Sequence, residues 1–429
     1  MNRNTHAILS FLVVALGVVG CASSDPESAT VASLEAAPDG CLSLGPVTLA
    51  EFPQGFQVHG VAGDTALMFA VQPSDAPGIH PGVHVAHRTL GVVLPDVVAP
   101  PEGWATPLSV LVENYTRLPL AGSQGTLLVL DAGVTPANIG MAPARLYRYS
   151  YRYRPSSGLT TSLLETHLLP LGPSGIIYPG EPALLPGGRV AVPDTLVGSI
   201  WVSDSHLENW TMALVDPRLA ANVAPPISGV GRDASGHISP YTYAAPPAVP
   251  GLPPGWGLYP GIHSIVYTDR THEACFPVTA SPGGIYCIAL SSLLSTSIPP
   301  NAKSDAIRVL VPPTPGVSDL TDGVAYDRYA PTSPWLYWQR APADTAGGGF
   351  NTLRRVHLVT GEIQVVASDN EIFSWANEIA ILPPLIDGSP FTTVLSSVGQ
   401  QYNNPEVNFA ITTPSYFSPS PMPITVVRR

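Results

Sequence analysis

Thr321-Asp322-Gly323-Val324-Ala325-Tyr326-Asp327, then Trp335-Leu336-Tyr337-Trp338-Gln339, then Leu353-Arg354-Arg355-Val356-His357-Leu358, and, past Thr360-Gly361-Glu362, a last run from Ile363 to Val366. The apolar runs are short, alternating or continuous, and each is bounded by turn residues, which is the signature of strands rather than helices. Gly347-Gly348-Gly349 marks a loop between the second and third runs. Four strands of this length joined by turns make one antiparallel sheet, the unit of a β-propeller blade.

The fold then depends on whether the pattern recurs. Strand–turn–strand segments are read at 55–70, at 108–130 (turn Ala121 to Gly125), at 178–203 (turn Pro186-Gly187-Gly188) and at 259–288. The opening stretch follows as the fifth unit and 375–409 as the sixth. The expectation is an all-β chain, a six-bladed β-propeller of four-stranded antiparallel blades. Ile424-Thr425-Val426-Val427 is expected to close the ring by pairing with a strand from the other terminus, which removes exposed sheet edges. Two β-sandwiches are the competing architecture.

Composition fits many strands and turns. The 429 residues include 49 Pro and 39 Gly, with 45% hydrophobic and 12% charged residues. The net charge is −12 and Lys303 is the sole lysine, so a nucleic-acid-binding surface is not expected. The Pro-rich stretches 73–101, 224–254 and 312–315 read as surface loops.

The N-terminus reads as an export signal: Arg3, then an apolar run from Ala7 to Val19, too short to span a bilayer. Its end, Val18-Val19-Gly20-Cys21, resembles a bacterial lipobox. That implies residues 1–20 as signal peptide, 21–40 as lipidated Cys21 and a flexible tether, and 41–429 as a single propeller domain. The protein is then expected to be exported and lipid-anchored to a bacterial membrane, at its periplasmic face or the cell surface. In an oxidising compartment, Cys275 and Cys287, which flank the turn Ser281-Pro282-Gly283-Gly284, are candidates for a cross-strand disulfide, leaving Cys41 over.

Familiar catalytic signatures are absent: there is no Gly-x-Ser-x-Gly elbow, no His-Glu-x-x-His and no phosphate-binding loop at Lys303. His80, His84 and His87 could ligate a metal, but a loop and edge strand explains them as well, since His84 and His87 point to opposite faces of a strand. Position gives a better argument. In a propeller the approaches to the innermost strands meet at one channel mouth. Here those approaches carry His59, Tyr178 with Glu181, Tyr259 with His263, Asp319 with Asp322, and Trp375 with Asn377 and Glu378. Carboxylates and an Asn amide oxygen are hard ligands of the kind Ca²⁺ takes. Strand capping and hydrogen bonding across the channel account for the same residue types.

Asp322-Gly323-Val324-Ala325-Tyr326-Asp327 with Leu336-Tyr337-Trp338 and Leu353-Arg354-Arg355-Val356 resembles a blade of the gluconolactonase/regucalcin superfamily of six-bladed propellers, which includes calcium-dependent phosphotriesterase-like proteins. Gly180-Glu181-Pro182 is similar to that family's Gly-Glu-Gly-Pro, without its second Gly, and Asn377 to its metal-binding Asn. The resemblance implies a divalent cation, Ca²⁺, held by Glu181, Asp322 and Asn377, with Asp322 also catalytic in lactone or ester hydrolysis.

Two functions are carried forward. One is a metal-dependent hydrolase of a small-molecule lactone or ester at the channel. The other is a non-catalytic surface propeller that binds a protein or glycan, for which Tyr147, Tyr149, Tyr151 and Tyr153, on one face of a strand, are the candidate patch, although an ordinary half-buried strand accounts for the same stripe. A His-dependent lyase using His263 or His59 is a third option. A monomer is expected in each case.

Overall fold

A computed structural model of the chain resolves the architecture. It describes the chain except residues 1–46, 53–59, 73–79, 91, 99, 101, 134–142, 172–174, 221, 225–227, 233–237, 243–256, 260, 279–283, 313–318, 321–322, 330–333, 343–351, 369–378, 385–392, 398–421 and 429. The signal segment, Cys21 and Cys41 therefore lie outside the described residues.

The strands form an all-β propeller. Five sheets have four antiparallel strands each. In chain order the first spans 61–98, the second 107–168, the third 183–215 and the fourth 266–311. The last of the five joins Ile379–Leu382, Thr393–Ser397 and Met422–Arg428 to Val47–Phe52 from the other end of the chain. In that sheet Val47 pairs with Val426 and Thr48 with Thr425, so the two termini close the ring as expected.

The stretch 319–368 departs from the expected pattern. Trp335–Pro342 is long enough to pair with two short segments, Asp319–Leu320 and Val324–Tyr326, so this sheet has five strands. The expectation of six four-stranded blades is corrected to five. Where a single innermost strand was read from Thr321 onward, two segments pair with different parts of Trp335–Pro342: Leu320 with Ala341, and Val324 with Trp338.

Local chemistry explains the turns. The three-residue loop after Leu185 places Gly187 and Gly188 at φ 78° and 74°, which side chains resist. In the second sheet the turn is not at Ala121–Gly125. Leu118 pairs with Gly122, and Gly125 is inside a strand beside a β-bulge. A Cβ on Gly125 would stand 2.1 Å from the Asn114 carbonyl oxygen, so glycine here serves close strand approach and not a turn.

Apolar side chains fill the spaces between successive sheets. Phe69 and Val85 of the first sheet meet Tyr147 and Tyr149 of the second. Leu128 and Leu146 meet Val192 and Trp201, Ile200 meets Phe276, Cys287 meets Leu336 and Tyr337 meets Ile379. Tyr147, Tyr149, Tyr151 and Tyr153 are 0%, 2%, 3% and 5% exposed. The candidate exposed patch is not found: the rings are core between the first two sheets, more deeply covered than the half-buried strand the stripe also suggested, and each buries a large apolar area.

Candidate functional site: the central channel

One strand of each sheet faces the middle. Val61–Gly63 packs beside Ile379–Leu382 and Pro107–Leu118; Val266–Thr268 lies beside Ala183–Leu185 and Val324–Tyr326, which in turn meets Ile379–Leu382. These strands enclose a channel of about 390 Å³. That size is within the ordinary range of small-molecule sites, roughly 300–1,000 Å³.

The walls are mostly Val, Ile, Ala and Leu, with a few polar groups. Glu181 lines the channel where two sheets are stitched together: its N–H donates to the His263 carbonyl at 2.7 Å, and it bridges to Ser264. The Gly180 N–H donates to Pro193 at 2.8 Å, which fixes the same segment to its own sheet. His263 is half-buried in this seam. Tyr178 turns away from the channel and packs against Leu108 and Ala132.

Elsewhere the channel is lined by Glu113, Asn114, Tyr115, Tyr267, Tyr326, Arg328 and Tyr329. Several are present because strands end unevenly. Pro107–Leu118 carries Asn114 and Tyr115, and the turn after Val324–Tyr326 brings in Arg328 and Tyr329. Sequence reading looked only at the approaches to the inner strands and missed these. The signal available was the Asp327-Arg328-Tyr329 step straight after an inner strand.

The electrostatics of this region are ordered. Glu113 is held by Arg148 through two bonds of 2.9 Å, one from Nε and one from Nη2. Arg148 also bonds Glu165, whose other partner is His167 at 3.0 Å. The His167 hydrogen bond, followed by Arg148, lowers the Glu165 pKa. Burial pushes the Tyr329 hydroxyl up to about 12; Arg328 opposes the rise and Tyr115 adds to it. Tyr329 is therefore a neutral hydrogen-bond donor or acceptor at physiological pH. The Asp64 carboxylate is sealed under the first sheet, accepting from the Ala66 and Leu67 amides and from the Tyr151 hydroxyl at 2.5 Å.

Of the three implied metal ligands, Glu181 lines the channel, while Asp322 and Asn377 lie outside the described residues, as do His59, Trp375 and Glu378. The described residues thus supply one carboxylate to such a site. Among the described residues, the acidic, His and Cys side chains come together as a trio at Glu273, Cys275 and Cys287. That trio is no metal centre: Cys275 and Cys287 are joined as a disulfide, and Glu273 takes the Arg308 guanidinium. His80, His84 and His87 do not gather either. His84 Nε2 contacts the His80 carbonyl, and His87 Nδ1 accepts from the Thr89 and Leu90 amides.

No protein-family model matches the chain, and no curated protein matches it. Solved structures do resemble it in fold. The major allergen Mala s 1 of Malassezia sympodialis aligns over 88% of this chain and 95% of its own, at 8% identity and a TM-score of 0.49. The PQQ-bound aldose sugar dehydrogenase of Streptomyces coelicolor covers 90% and 97%, at 10% identity and 0.43. Virginiamycin B lyase of Staphylococcus aureus covers 81% and 94%, at 11% identity and 0.39. At these values the likeness concerns the propeller fold, and no activity is carried over from it.

Proposed function

We propose that this chain is an exported lipoprotein, anchored through Cys21, whose propeller binds a small molecule in the central channel and hydrolyses it as a lactone or ester. The observation behind this reading is the channel itself: a cavity of about 390 Å³, walled by apolar strand residues and carrying the carboxylates Glu113 and Glu181, one guanidinium, Arg328, and several Tyr. In the catalytic form of the reading, Glu181, Asp322 and Asn377 hold a divalent cation, Ca²⁺, and Asp322 is the general base. A bound cation would polarise the scissile carbonyl. The apolar walls would exclude bulk water from the substrate, and Arg328 and Tyr329 would orient it.

A second reading, a non-catalytic propeller binding a protein or glycan, has its own support. Strands of the second sheet run 10 to 12 residues, against 3 to 6 in the third sheet beside it. The overhang presents two rows of polar side chains. Asn114, Thr126, Ser150 and Ser162 pair across all four strands, and so do Thr116, Gln124, Arg152 and Thr160. All eight line one shallow groove.

Metal analysis of the purified protein, with unfolding curves at increasing Ca²⁺, decides between the two. The hydrolase reading expects bound cation, a Ca²⁺-dependent rise in Tm lost in Glu181→Gln, and lactone or ester turnover lost in Asp322→Ala. Metal-free protein whose unfolding ignores Ca²⁺ and which turns over no lactone or ester leaves the binding reading.

A further inference from the structure

We infer that the channel takes a small organic anion, a carboxylate on a planar apolar body, with its charged end at Arg328 and Tyr329. This rests on the channel being a ligand site and names the class of ligand.

The inference starts from the charges lining the channel, which are Glu113, Glu181 and Arg328. Glu113 is engaged by the two-point contact with Arg148, a guanidinium it shares with Glu165. Glu181 lies at the seam with His263, just before Ala183–Leu185, whereas Arg328 follows Val324–Tyr326 in another sheet. Arg328 is exposed, and no ion pair joins it to a described carboxylate. The nearby acids are otherwise engaged: Asp327 is buried and accepts the Tyr329 amide at 3.1 Å, and Asp64 is sealed by two amides and Tyr151. Neither lines the channel.

A second guanidinium reinforces the first. Arg88, buried at 3% exposure, donates to the carbonyls of Asp64 and Pro383, and its charge, like that of Arg328, acts on the Tyr329 hydroxyl. Tyr329 and Tyr115 add neutral hydroxyls at the same place. A guanidinium with adjacent hydroxyls is a carboxylate receptor. The same channel is lined by the rings of Tyr115, Tyr267 and Tyr326 and the side chains of Val112 and Ile379, which suit a flat apolar body. The net charge of −12 repels anions in general, but the exposed Arg328 guanidinium lies within a Debye length of a ligand in the channel and attracts it, the more weakly as salt rises.

The test uses the whole propeller and two probes of the same shape, benzoate and benzamide, measured by calorimetric titration. Benzoate is expected to bind about tenfold or more tightly than benzamide, and to lose about tenfold in Arg328→Gln, since a charged hydrogen-bonded contact is worth that much. Arg328→Lys restores part of the affinity, and added NaCl weakens benzoate alone. Equal binding of the two probes, unchanged benzoate affinity in Arg328→Gln, or no benzoate binding overturns the inference. If neutral lactones or esters still bind or turn over in the channel in those cases, the ligand-site reading stands and only the anion assignment falls.

Discussion

The Tyr326 hydroxyl reaches across the boundary between two adjacent sheets and donates to Asp269 at 2.6 Å. Asp269 follows the inner strand of one sheet, and Tyr326 ends the inner strand of the next. Tyr151 does the same for Asp64 between the second and first sheets, at 2.5 Å. The settings differ. Asp269 is exposed, whereas Asp64 is fully buried. Tyr326→Phe leaves an acceptor that water can reach and is expected to cost about 0.5–1.5 kcal/mol. Tyr151→Phe strands a buried carboxylate oxygen and is expected to cost more, about 1–3 kcal/mol. Urea denaturation of the two variants checks the order; equal losses would refute it.

Gly180 sets the position of Glu181. A Cβ on it would stand 2.1 Å from the His263 carbonyl oxygen, a backbone atom that cannot swing aside. Gly180→Ala is expected to destabilise the protein by about 1–3 kcal/mol through overpacking. It is also expected to break the bond from Glu181 N–H to His263. Amide exchange at Glu181 reads the second effect, and retained protection there would show that the seam tolerates the side chain.

Lys303 is buried, with its ammonium donating to the Leu293 carbonyl at 2.7 Å, and burial lowers its pKa. Because it is the sole lysine, the peptide that contains it reports the one side-chain amine. A short acylating reagent is expected to leave Lys303 unmodified in the native protein and to modify it fully in denaturant, as read by peptide mass spectrometry. Prompt modification under native conditions would place Lys303 at the surface.

The Cys275–Cys287 disulfide closes a loop with a sequence separation of 12. Replacing both by Ala is expected to cost about 2–3 kcal/mol from the freed loop entropy of the unfolded chain. The effect is read as a drop in the urea midpoint at constant slope, and vanishes if wild type is compared under reducing conditions. An unchanged midpoint would mean that the hairpin already restricts the unfolded chain as much as the bridge does.

The parts of the fold legible in sequence were those written in local alternation. Trp335-Leu336-Tyr337-Trp338 and Leu353 to Leu358 announce strands, and Cys275 opposite Cys287 announces a cross-strand pair that the register confirms. What alternation does not encode is how tall one sheet stands beside the next. The Tyr147–Tyr153 stripe was ambiguous because a period of two marks a face without saying what covers it. Gly122 and Gly125 looked like a turn because glycine serves both turns and close strand approach. Arg328 and Tyr115 enter the channel only because neighbouring strands end at different heights, a relation between distant segments. Glu181 was legible as a channel residue since its approach to an inner strand is local.

The pairing of Val47–Phe52 with Met422–Arg428 has a consequence for chain order. With the first and last strands side by side in one sheet, the covalent starting point is arbitrary to the folded ring. A circular permutant that links the region after Arg428 to the region before Val47, and opens between two other sheets, should form the same propeller. Such a chain would move the terminal seam to any chosen sheet boundary.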